Sequence, residues 1–395
     1  MAVYNHDAIV VGGGIAGAAI AAHLAEKCRV AVLEMEDHPG YHSTGRSAAL
    51  FVEAYGNAVI RALTRASRDF FNSPPAGFSD EPLVTPRKVM ILDRVEQHAA
   101  FEHFIACETP AENFQRIDAA AASALCPVLR PEGLLGAVVD TGAADIEVHA
   151  LHQGYLRLLK GRGGRIALGA KAVGIEYGAR EGWAVETTQG VYHAPILVNA
   201  AGAWADEIGA MAGARPIGLE PRRRTAALID APEGLDACRW PMILDAEEQF
   251  YMKPDAGLLL ISPADETLSE PEDAQADELD VAVAADRLEK LTTIEVRRIK
   301  SKWAGLRSFV QDRSPVVGYD PDLNGFFWLA ALGGYGIQTA PALSAFAARL
   351  ALRLPVTEDC AALRIRPEDL SPTRLRQPSE KRPGNANAMK ERQNS

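Results

Sequence analysis

The chain has 395 residues, 48% of them apolar or aromatic and 24% charged, with a formal net charge of −11. Its length exceeds the roughly 250–300 residues that one core serves, so two intimately packed domains are expected, and the composition is that of a globular protein, which excludes a disordered chain or a membrane bundle. The acidic balance, with no basic stripe interleaved with aromatics, argues against nucleic acid as a partner, because phosphate binding needs clustered Lys and Arg.

Cys28, Cys107, Cys126, Cys238 and Cys360 are scattered and never form CxxC, so neither a disulfide framework nor a zinc site is implied. With no basic leader and cleavage site, a reducing, cytoplasmic setting is expected, and attachment to a membrane surface stays open. The uncharged run from Ala8 to Ala22 is broken by three glycines and falls short of the ~20 residues that span a bilayer, so no transmembrane segment is expected.

In chain order, Asp7–Val11 is apolar throughout and ends at glycines, as a strand buried on both faces does. A helix with small alanines follows from Ile15 to about Glu26, then a strand from Arg29 to Glu34, which together make one β-α-β unit. Helical patterns cover Tyr55–Phe71, Ile117–Leu125 and His149–Leu159, followed by strands Arg165–Leu168 and Ile196–Asn199. From Pro216 to Phe309 short β-rich runs (Thr225–Ile229, Gln249–Lys253, Gly257–Ser262) predict an antiparallel sheet with a helix over Val281–Leu291. The acidic run Asp265–Glu278 reads as a solvated face. Gly325–Ala330 is a strand, and Gly333-Gly-Tyr-Gly336 leads into a helix to about Leu350.

The expected fold is α/β, a Rossmann-type nucleotide-binding domain with an inserted domain of antiparallel sheet plus helix. The first takes residues 1–82, 146–215 and 305–376, the second 83–145 and 216–304, and 377–395 form a flexible tail.

Gly12-Gly13-Gly14-Ile15-Ala16-Gly17 fits GxGxxG between a strand and a helix, with Glu34 closing the next strand. Gly12 makes the tight turn, Gly14 admits a pyrophosphate, Gly17 lets helix and strand touch, and the amides at Ile15 and Ala16 face the negative charge. Glu34 accepts from the ribose hydroxyls. A nicotinamide dehydrogenase shares this fingerprint. A bound flavin is favoured by the loop Pro39-Gly-Tyr-His-Ser-Thr-Gly-Arg-Ser47 and by a second glycine-containing strand end, Ile196–Trp204.

These segments, with AYG (54–56), PPAGF (74–78), LHQGYLR (151–157), LVNAAGAW (197–204), FYMKPDAG (250–257), WAGLRSFV (303–310) and GGYGIQT (333–339), resemble the D-amino-acid oxidase superfamily. Within it they are most similar to the FAD-dependent D-arginine dehydrogenases. The resemblance runs in order to about Arg376 and implies non-covalent FAD. It places Ser47 and Ala48 beside the flavin, and Ser43 and Arg46 in the adjacent loop. Val173, Ala201, Gly202 and Trp204 would stand against the cofactor, with Gly333, Gly336, Ile337 and Thr339 along its far edge.

Oxidising an amino acid on a flavin requires that its carboxylate be held firmly, so that Cα–H faces flavin N5. Arginine's planar fork suits this. Arg224 and Arg307 lie among apolar residues and should each meet an anion, from the protein or from a ligand. The resemblance puts the substrate carboxylate between them, beneath the hydroxyls of Tyr55 and Tyr251, which by themselves read as packing residues. It gives Gly334 the carbonyl that meets the substrate amine and sets Gln338 one turn further on. The implied reaction is hydride transfer from Cα to N5, then hydrolysis of the imine to a 2-oxo acid and ammonia.

The sequence departs from the D-arginine enzymes where they carry a glutamate, a histidine and a threonine in the pocket. Here Val89, Leu50 and Val52 stand, and Met242 and Leu244 extend the apolar wall, so an uncharged, apolar D-amino acid is expected. Glu248, at the pocket mouth, and Glu53, in the lid, leave D-arginine or D-lysine as an alternative. An oxidase of glycine or sarcosine, or a non-catalytic flavin subunit, are further readings. The electron acceptor, quinone or oxygen, and the oligomeric state stay open. No metal is expected: His149 and His152 lack a third ligand, and Asp140–Asp145 reads as a loop without an EF-hand glutamate. His23 reads as a helix residue and not a catalyst.

Overall fold

The computed structural model describes residues 2–107, 113–357 and 364–376, so the tail expected from residue 377 lies outside the described residues. Apolar runs from both ends of the chain meet in one six-stranded sheet. Its order is Arg165–Ala167, Val30–Leu33, Ala8–Val11, Ile196–Asn199, Phe326–Ala330 and Val316–Tyr319. The first five run parallel and the last antiparallel.

Successive residues of a strand face opposite sides. Ala8, Val10, Val30, Val32, Val198 and Phe327 pack with the helices Ile15–Leu24, Val148–Gly161 and Gly336–Ala351. Ile9, Val11, Ala31, Leu33, Leu197 and Phe326 pack on the other side with Trp183, Val185 and Tyr192. Those three residues belong to a four-stranded sheet ordered Val3–Asn5, Val191–Ala194, Gly182–Thr187, Ala172–Gly178. Cover on both sides is why these strands show no polar alternation. Ala18, Ala19, Ala21 and Ala22 are fully buried, their small side chains letting the first helix sit deep among its neighbours.

A nine-stranded sheet forms the second layer. Its path is Thr267–Leu268, Glu220–Asp230, Leu258–Ser262, Tyr251–Asp255, Met242–Asp245, Val89–Arg94, Leu134–Asp140 and Phe114–Asp118, with Ile299–Phe309 pairing Glu220–Asp230 off that path. Its pairs are antiparallel except Met242–Asp245 with Val89–Arg94. One face (Met90, Leu92, Ala137, Val139, Met252, Ile261) is sealed by helix Glu278–Leu291 through Val281, Ala284 and Leu288. The other face (Val89, Ile91, Val138, Met242, Tyr251) looks toward the parallel sheet and walls the site.

Several expectations are corrected. Strand Ile299–Phe309 runs through the boundary expected between 304 and 305. The helix expected from Ile117 begins at Ala119, because Asp118 caps it by accepting the Ala121 amide, and Phe114–Asp118 is a strand. Asn57 likewise accepts from the Val59 and Ile60 amides, so the helix expected from Tyr55 starts at Ala58 and leaves Tyr55 on a loop. Asp140 ends a strand instead of opening a loop.

The acidic run is not simply a solvated face, because several of its carboxylates are engaged by the protein. Asp265 accepts from Thr225 N and Oγ1, Asp277 lies 3.6 Å from Arg223, and Glu266 pairs with Arg313 at 2.7 Å.

Candidate active site

The glycine turn explains itself sterically. Gly12 has φ +104°, and a Cβ there would stand 2.4 Å from the Ala200 carbonyl oxygen. A Cβ on Gly17 would stand 1.9 Å from the Gly12 oxygen, so helix and strand touch only through hydrogen. A Cβ on Gly14 would fill the space against Thr44 Oγ1, which accepts the Ile15 amide at 3.0 Å. Glu34 is buried and accepts the amides of Gly13 (2.7 Å) and Glu36 (2.9 Å), with lone pairs to spare.

His152 donates from Nε2 to the Gly13 carbonyl at 2.9 Å and lies under Gly40, whose φ of +82° opens the second cofactor loop. Burial lowers its pKa, as befits a neutral imidazole. Its bond to Gly13 orients it toward the glycine turn and not toward a metal shared with His149.

From this turn a cavity of about 150 Å³ leads past Ser43, Arg46, Ser47 and Ala48 to Gly305–Ser308 and to Gly333–Ile337. The N-terminus of helix Gly336–Ala351 opens onto it, a favourable place for developing negative charge. Ser43 donates to the Leu306 carbonyl at 2.6 Å. Arg46 donates to the carbonyls of Ala274 and Ala304 and pairs with Asp273, so it ties its loop to the acidic run.

The glycine cradle, the buried acid with spare acceptors and the helix end fit an adenine dinucleotide carrying a flavin. Gly202 borders this cavity as well. Gly12, Gly17, Glu34, Ala201, Trp204 and Thr339 lie outside both cavities described here, and Thr339 donates its hydroxyl to the Tyr335 carbonyl. Val173 also lies outside them, half-exposed at a bulge.

A larger cavity of about 880 Å³ adjoins the first, and Ser47, Ala48, Arg224, Tyr251, Arg307, Gly334 and Ile337 border both. Arg307 thus stands at the junction. Its NH1 would lie 2.8 Å from a Cβ on Gly334, and among the described residues no carboxylate is its ion-pair partner. Burial disfavours its charge, yet the oxygens of Tyr55 and Tyr251 hold its pKa above the ordinary arginine value.

Arg224 is partly engaged. Its Nε donates to the Asp265 carbonyl at 2.8 Å, and its NH2 lies 3.4 Å from Glu266, which also takes both terminal nitrogens of Arg313. Neither Glu266 nor Arg313 stood out in the sequence, since the acidic run looked like surface. Gln338 accepts the Val52 amide through Oε1, while its buried Nε2 has no partner.

Leu50, Val52, Val89, Met242 and Leu244 all line the larger cavity, with Ile91, Phe104 and Phe114 beyond them. Glu248 borders it from a hairpin turn, in the left-handed conformation at φ +54°. It is exposed at the cavity, and desolvation pushes its carboxyl up against the pull of Arg224 and Arg307. Glu53, expected in the lid, pairs with Arg68 and lies outside this cavity.

Fold and site together define a dinucleotide-binding oxidoreductase in which the second sheet walls a cavity beside the cofactor passage. The sequence matches the family "FAD dependent oxidoreductase" (DAO) over residues 7–350, and the chain belongs to that family. It is therefore an FAD-dependent oxidoreductase.

It is 26% identical to the uncharacterized oxidoreductase YurR of Bacillus subtilis, over 87% of this chain and 94% of that one. It is 23% identical to the glycine oxidase of Geobacillus kaustophilus, over 91% and 96%. The crystal structure of L-proline dehydrogenase from P. horikoshii superposes with a TM-score of 0.81 at 21% identity, over 95% and 99% of the two chains, a likeness of fold. Among the described residues no helix is long and apolar enough to cross a membrane.

Proposed function

We propose that the chain oxidises uncharged D-amino acids to 2-oxo acids and ammonia. The carrying observation is Arg307, a guanidinium in no ion pair among the described residues, where the cofactor passage meets the large cavity. A buried cation of this kind is stabilised by an anionic ligand, and an amino-acid carboxylate matches its fork.

Arg307 holds the carboxylate, partly engaged Arg224 flanks it, and Tyr55 and Tyr251 donate from above. The Gly334 carbonyl accepts from the neutral amine and so turns Cα–H toward the passage. When bound, the flavin supplies a two-electron acceptor for that hydride. The substrate leaves as an imine, and water then gives oxo acid and ammonia. The apolar side walls favour a side chain that carries no charge. Preference for the D enantiomer follows the motifs shared with D-arginine dehydrogenases.

The test is anaerobic bleaching of the FAD-loaded protein by a panel of D- and L-amino acids, followed by readmission of air. Bleaching by D- but not L-enantiomers supports the reading, and bleaching by none overturns it. Reoxidation by air separates oxygen from a quinone as acceptor. A glycine- or sarcosine-type amine is the second reading, favoured by the glycine oxidase relative that spans 91% of this chain. Faster bleaching by glycine than by any larger amino acid would select it.

A further inference from the structure

The floor of the large cavity is a row across four strands. Met242 pairs with Val89, Val89 with Asp140, and Asp140 with Phe114. All four residues line the cavity. Side chains of paired residues share a face, and Val138, two residues before Asp140, packs with Val89, Ile91 and Met242 on the cavity side. Asp140 is the charged member of this otherwise apolar row and only 4% exposed.

Its Oδ1 accepts the Gly142 amide at 2.8 Å, which closes the following turn. An asparagine or serine would cap that turn as well, without burying a charge. No Arg, Lys or His forms an ion pair with it among the described residues; burial and the neighbouring Glu53 charge push its carboxyl up, with the Gly142 and Ala143 amides opposing. Asp140 lines the same cavity as Phe104 and Phe114, whose ring centroids lie 6.2 Å apart.

Donor counting narrows the ligand. An ammonium brings three donors and a guanidinium five, which one carboxylate among apolar neighbours leaves mostly unsatisfied, whereas a phenol or indole brings one. We propose that Asp140 is a specificity-determining residue that accepts the O–H or N–H at the end of a neutral aromatic substrate side chain. This rests on the amino-acid reading above and narrows it to aromatic D-amino acids with one distal donor.

The test compares D-tyrosine with D-phenylalanine, which differ by one hydroxyl, in anaerobic flavin reduction by the FAD-loaded enzyme. The expected kcat/KM ratio in favour of D-tyrosine is about 10- to 100-fold, the worth of a hydrogen bond to a charged group. In Asp140→Asn, which keeps the turn acceptor but offers the cavity a donor, the ratio should fall to about 1. Equal or faster reduction by D-phenylalanine in the parent enzyme overturns the assignment, whether or not the variant folds, and leaves the amino-acid reading standing. So does a ratio unchanged in the variant. Reduction by neither compound, nor by any other D-amino acid, overturns both.

Discussion

Replacing Arg307 by methionine removes the guanidinium at the junction while keeping a long apolar stem. The structure makes it the more consequential of the two arginines. Arg224 already donates its Nε to the Asp265 backbone carbonyl at 2.8 Å and shares the Glu266 carboxylate with Arg313, so part of its charge is compensated. Among the described residues Arg307 forms no ion pair with a carboxylate. Its loss leaves the substrate carboxylate desolvated beneath Tyr55 and Tyr251, at a cost of about 2–5 kcal/mol. That corresponds to roughly 30- to 5000-fold in kcat/KM. The effect should appear first in KM, and in kcat as far as Cα loses its aim. Stopped-flow bleaching across substrate concentrations reads both, and the yellow colour of the purified variant shows that FAD is still held. Arg224→Met should fall at the low end of the same range. Reduction at near-parental kcat/KM in Arg307→Met refutes the reasoning, as does a larger loss in Arg224→Met.

Further outcomes follow from the cofactor side. Gly17→Ala places a methyl where only 1.9 Å separates it from the Gly12 oxygen, so the protein should purify colourless and fail to take up added FAD; normal flavin absorbance would contradict this. His152→Ala removes the bond to the Gly13 carbonyl, and FAD should dissociate about 5- to 10-fold more readily in a fluorescence titration. His23 is buried against Tyr155 and burial lowers its pKa from 6.5 to about 4. The unfolded chain therefore takes up this proton first, and stability should fall by about 3 kcal/mol as pH drops from 6.5 to 4. Lowered His152 adds in the same direction. His23→Leu should flatten denaturant midpoints across that window, and an unchanged slope would assign the acid sensitivity elsewhere.

Local pattern was enough for the nucleotide half. The apolar run before Gly12, the alanines after Ile15 and the acid at Glu34 are neighbours in sequence as well as in space, and each glycine answers a contact within its own β-α-β unit or the adjoining strand end. The apolar cavity walls were legible only through the family resemblance, because Val89–Arg94 and Met242–Asp245 begin as unbroken apolar runs in which no alternation marks the face.

Only tertiary structure decided which charges matter. The acidic run reads as surface until Arg46, Arg223 and Arg313, each from a different strand or loop, meet its Asp273, Asp277 and Glu266. Arg224 and Arg307 look equivalent in sequence, and it is the packing of Glu266 within 3.4 Å of Arg224 that tells them apart, since among the described residues Arg307 forms no ion pair. Asp140 reads as a loop residue, since nothing nearby in the chain reveals that Met242, Val89 and Phe114 align with it across three other strands. Hydrophobic patterning is local and periodic, so one strand displays it alone. Charge compensation is a property of pairs, and here Arg46 and its partner Asp273 lie 227 residues apart.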